Sequence, residues 1–112
     1  MLDTNDLLKE SSANQDKLWK DYPEQMAAFT KFSSSVKTPG SLDAKHKYLI
    51  ALALGVATRC DWCIAQHTGN ALNAGASKEE ILEASWVAVL MGGGPSLMYM
   101  QLVQKALEDL ST

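Results

Sequence analysis

Apolar positions along this chain recur at helical spacing, and nowhere does a sustained strand-like alternation explain them better. The first predicted helix runs from about Asp3 to Lys20, capped by Asp3 or Thr4. Its face is rather polar and is anchored by two pairs three turns apart, Leu7–Leu8 and Leu18–Trp19. Pro23 with Glu24 beside it is a helix start, and Met26, Phe29, Phe32 and Val36 follow on one stripe, which the usual burial of such residues assigns to the core. Pro39 and Gly40 interrupt the pattern, and Ser41 or Asp43 can cap what comes next. From about Leu42 to Thr58 the chain is apolar almost all round after Tyr48. A helix of that kind sits centrally or is covered by another subunit.

A fourth helix opens at Cys60 and runs to about Ala74, where Gly75 suits the left-handed residue that ends many helices. Ser77 and Glu80 have the spacing of a capping box for a helix reaching about Met91. Gly92 to Pro95 form a tight break. In the last helix Met100, Val103, Leu107 and Leu110 make one apolar stripe. The prediction is a single all-α domain over residues 1–112, a bundle of about five to six helices. It divides into N-terminal helices (1–40), a core (41–95) and a C-terminal helix (96–112).

Composition narrows the function classes. The 112 residues carry a net charge of −3 with ten Lys and Arg and no basic patch, so nucleic acid is not an expected partner. No apolar run reaches the roughly 18 residues of a membrane span, and the start of the chain has neither a basic nor an apolar leader region, so the expected location is the cytoplasm. In a reducing compartment a lone C-x-x-C is more often catalytic or metal-binding than a structural staple. No phosphate-binding glycine loop is present, and no cofactor is expected.

The chemistry concentrates in "RCDWCIAQHTG", residues 59–69. At about 100° per residue, Cys60, Cys63 and His67 share one helix face, and Cys63 and His67 lie one turn apart. A helix start favours a thiolate at Cys60, His67 can take a proton from Cys63, and Arg59 can add positive potential. A disulfide needs Cβ atoms about 3.5–4.5 Å apart, against roughly 5–6 Å within a regular helix, so Cys60 must sit at a frayed first turn. Ile64 after Cys63 excludes c-type haem. Structural zinc would need a fourth ligand, for which His46 is the remaining histidine. Redox pair, metal site and two buried thiols all stay open on spacing alone.

The longer stretch from Ser41 to Pro95, and above all C-x-x-C-x-x-x-H followed by "NAGASKEEI", resembles the carboxymuconolactone decarboxylase family in its alkylhydroperoxidase D-like branch. That resemblance implies an all-α fold, assembly into trimers or hexamers, and a thiol-dependent peroxidase or disulfide reductase. The substrate would be a hydroperoxide or a partner's disulfide, with an external thiol as electron donor. Cys60 and Cys63 would be the redox pair and His67 part of a proton relay. Peroxidase members carry a glutamate twelve positions before the first cysteine; here that position is Tyr48. A phenol is a poor base at neutral pH, though it can hydrogen-bond. Glu80, Glu83 and His46 are the other relay candidates, each with an ordinary structural or solvated reading beside it. The departure at Tyr48 keeps a non-catalytic binding protein in play. A lactone decarboxylase ranks below it, because the cysteine pair would have no purpose there.

Overall fold

A computed structural model describes residues 3–111, and every regular element among them is helical: α1 (Thr4–Asp21), α2 (Pro23–Lys37), α3 (Ala44–Ala57), α4 (Asp61–Asn73), α5 (Lys78–Gly92) and α6 (Gly94–Leu110). No helix among the described residues is long and apolar enough to cross a membrane.

The helix starts follow local rules. Asp3 caps α1 by accepting from the Asn5 amide, and Asp43 caps α3 by accepting from His46. Ser77 and Glu80 form the full reciprocal box at the start of α5. Tyr22 joins α1 to α2 as the end of one and the start of the next, with Pro23 in the first turn. Between α5 and α6, Gly93 takes a left-handed φ of 69°, and a Cβ on Gly92 would fall 1.9 Å from Ser96 Oγ.

Helices α3 to α6 enclose the core. Leu52 and Val56 of α3, Ile64 and Ala71 of α4, Ile81 and Ala88 of α5, and Val103 and Leu107 of α6 are all buried. The α6 stripe is seated as its spacing requires, with Met100 buried beside Val103 and Leu107. The N-terminal end of α1 is tied to the far end of α6: the Thr4 amide and hydroxyl both donate to Asp109 Oδ2 at 2.8 Å.

The expectation that the α2 stripe lies in the core is corrected. Phe29 and Phe32 are 67% and 65% exposed, Val36 is exposed and Met26 only half-buried. The reason is positional: among the described residues α2 packs only on α1 and α3. Lys47 holds its end in place, its Nζ donating to the carbonyls of Val36 and Thr38 at 2.7 Å each. Within the single chain Ile50 and Leu54 of the apolar α3 remain exposed.

Candidate active site

The site begins with how α3 ends. The Arg59 amide donates to Val56 O at 3.2 Å and the Cys60 amide to Gly55 O at 2.9 Å, the paired bonds of a Schellman motif. That motif needs a left-handed residue in its middle, and Arg59 supplies it with φ 58°. The turn delivers Cys60 in extended geometry (φ −105°, ψ 99°) as the N-cap of α4, outside the regular helix. From there its sulfur accepts the Cys63 amide at 3.2 Å and is bonded to Cys63 as a disulfide, with the two Cα atoms 5.2 Å apart. Cys63 lies against α3, where a Cβ on Gly55 would come within 3.2 Å of its own Cβ. Glycine at 55 therefore lets the two helices close at the disulfide.

His67 follows Cys63 by one turn on the same face of α4. It is half-buried, and its Nδ1 is buried without a hydrogen-bond partner among the described residues. Burial, and secondarily the ammonium of Lys37, push its pKa below the ordinary histidine value, so it is neutral at pH 7 and able to accept a proton. Tyr48 of α3 stands beside it, ring centroids 6.5 Å apart and planes tilted by 30°, with no hydrogen bond between the two rings. The position where a relay acid was expected thus faces His67, but holds a phenol.

The other candidates lie elsewhere. Glu80 accepts from the Ser77 amide and from Lys45 Nζ, both at 2.9 Å, and these contacts, the Ser77 amide foremost, hold its carboxyl below the usual range. His46 is exposed at the start of α3, its Nδ1 2.6 Å from Asp43 Oδ1. Glu83 is exposed on α5 in a shallow groove with Trp86 and Val87. Among the described residues no cluster of three or more His, Cys, Asp or Glu is arranged to hold a metal ion.

Two clefts flank α4, each of about 230 Å³. One, between α1, α4 and α6, is walled by Trp62 and Asp61 with Leu7 and Leu102, and includes neither cysteine nor His67. Trp62 lies on that side of the helix. The other is lined by His67 but by neither cysteine, and opens from α2 and α3 past Phe29, Phe32, Val36 and Tyr48, with Lys37 and Lys47 in its wall. Sequence reasoning missed the part of α2 in this second cleft. A Phe-Phe-Val stripe is the usual signal of a core face, and only the position of α2 in the fold marks it otherwise.

A model of the carboxymuconolactone decarboxylase family matches residues 23–106, and the chain belongs to that family. It is 37% identical over 83 residues to uncharacterized protein 4 of the cox locus of Paracoccus denitrificans, covering 74% of this chain and 75% of that one. It is 42% identical over 77 residues to an uncharacterized protein of Cupriavidus necator, covering 69% and 68%. Among solved structures, a carboxymuconolactone decarboxylase family protein of Legionella pneumophila superposes with a TM-score of 0.94 at 38% identity, covering 97% of each chain. A Thermotoga maritima member of the family, put forward for a role in the antioxidative response, gives 0.84 at 30% identity, covering 95% of this chain and 90% of the other.

Proposed function

We propose that the protein is a two-cysteine thiol peroxidase that reduces hydroperoxides and is returned to the dithiol by an external thiol donor. The observation that carries this reading is the placement of the Cys60–Cys63 pair across the N-cap of α4, next to a half-buried, neutral His67. The antioxidative role put forward for the Thermotoga protein points the same way.

The cycle starts from two thiols. His67 takes the proton of Cys63, and the thiolate attacks the outer oxygen of ROOH. The O–O bond breaks, RO⁻ leaves and receives the proton from His67 as ROH, and Cys63 becomes a sulfenic acid. The helix end favours the thiolate of Cys60, which attacks the Cys63 sulfur. Hydroxide departs and takes up the proton that Cys60 gave up, leaving water and the disulfide. A dithiol donor then reduces the disulfide by exchange and is itself oxidised. Tyr48 in place of an acid leaves His67 without a carboxylate behind it, so turnover is slower than in a peroxidase with a complete relay. The need for a thiol donor fits a reducing compartment such as the cytoplasm.

Self-association belongs to the same reading. Trp86, Val87, Leu90 and Met91 of α5 and Met98 of α6 are more than half exposed, with Leu90 at 79% and Met91 at 82%, an apolar expanse suited to further copies in a trimer or hexamer.

The test is hydroperoxide consumption under a dithiol donor. Cys63→Ser should lose activity by at least about a hundredfold. Cys60→Ser should stall with a sulfenic acid on Cys63 that a dimedone-type probe captures. Undiminished consumption by Cys63→Ser would sink the reading.

A further inference from the structure

The cleft that leads to His67 has a composition that the peroxidase chemistry does not require. Its walls are the exposed rings of Phe29 and Phe32 with Val36, Tyr48 and Ala51, a surface water covers at a cost. At about 230 Å³ it is larger than the roughly 150 Å³ cavity that accepts a benzene ring. Its ionic groups are all of one kind: Lys37 and Lys47 are present and no acidic side chain is, on a chain whose net charge is −3. Lys47 uses two of its three N–H groups on the carbonyls of Val36 and Thr38. Lys37 has no hydrogen bond or ion pair among the described residues, although it lies near enough to His67 to act on it electrostatically.

An apolar slot with an unmatched ammonium at its wall is complementary to an apolar body carrying one negative charge. We propose that this cleft binds amphipathic carboxylates, with the ring or chain against Phe29, Phe32 and Val36 and the carboxylate on Lys37, helped by the remaining N–H of Lys47. The substrates it favours are then organic hydroperoxides that bear a carboxylate, in preference to hydrogen peroxide or neutral hydroperoxides. The preference among hydroperoxides rests on the peroxidase reading above; the binding of the carboxylate does not.

The experiment separates the two. Isothermal titration calorimetry on the oxidised protein, which cannot turn over, compares 4-isopropylbenzoate with 4-isopropylbenzamide, equal in shape and lacking the charge. The benzoate should bind about fivefold more tightly or better, a ratio in keeping with one partly exposed ion pair. Lys37→Met, at a half-exposed position where folding is not at stake, should bring the ratio close to one while leaving the benzamide unchanged. Phe32→Ala should weaken both by a similar factor. Equal binding of the two compounds, a preference that survives Lys37→Met, or binding indifferent to Phe32→Ala would each overturn the proposal. A protein that passes this test yet consumes no hydroperoxide keeps the carboxylate site and loses the peroxidase.

Discussion

The same turn appears twice in this protein with opposite economy of strain. At the end of α4, Gly75 (φ 93°) sits at the left-handed position, with the Gly75 amide on Leu72 O and the Ala76 amide on Ala71 O. At the end of α3 the same two bonds are made around Arg59, a residue that reaches such a φ only with strain. The helix starts that follow differ in the same sense. After Gly75 comes the full Ser77–Glu80 box, with Glu80 further tied to Lys45. After Arg59 comes Cys60, whose sulfur is a weak acceptor for the helix amide. One junction is built by every local rule for stability. The other breaks two of them, and it is the one that holds the disulfide. Departures from local preference without an evident structural gain mark where function lives.

Substitutions at the two junctions break or sharpen this contrast. The largest effect is expected from Gly75→Ala, which places a Cβ at a left-handed position and should destabilise the fold by about 1–2 kcal/mol in chemical denaturation. Ser77→Ala removes the cap of α5 and should lower stability by about 1 kcal/mol, with unchanged peroxide consumption. Arg59→Gly should act in the other direction, stabilising the protein by about 0.5–1 kcal/mol as the strain is relieved. A loss of stability there would mean that the arginine side chain supports the fold, and the contrast between the two turns would fail.

The smallest effect concerns His67. Its pKa in the folded protein lies below the ordinary value, through burial and then Lys37. The unfolded chain therefore takes up the proton first as pH falls. Stability is unaffected above the unfolded pKa of about 6.5 and declines as pH drops below it, toward the folded value. His67→Gln should flatten this part of the pH–stability curve, and an NMR titration of the ring should place its midpoint below that of an exposed histidine.

Much of the fold was legible because its signals are local. The Ser77–Glu80 box, Gly75, Pro23 and the Met100–Val103–Leu107 stripe each report on bonds or faces within one element, and each lies where its spacing requires. The one-turn spacing of Cys63 and His67 was legible for the same reason, being periodicity within α4, whereas Cys60 stands outside that periodicity as the extended N-cap and reaches Cys63 through the turn that ends α3. What could not be read was packing between elements. Phe29 and Phe32 carry the same pattern whether a neighbouring helix covers them or solvent does, and only the path of α2 decides. Gly55 is unremarkable in sequence, and its close approach to Cys63 depends on how α3 crosses α4. Lys37 belongs to the same group, since its place beside His67 depends on where α2 ends.

The central claim is that Cys60 and Cys63 work as one two-electron redox centre. Fully reduced protein titrated with sub-stoichiometric cumene hydroperoxide, with free thiols counted after each addition, tests it most directly. The account predicts two thiols lost for each hydroperoxide consumed, an intramolecular Cys60–Cys63 disulfide in the peptide map, and full recovery of both thiols with excess dithiol. Thiols that persist while hydroperoxide remains, or losses accompanied by disulfides between chains, would contradict it.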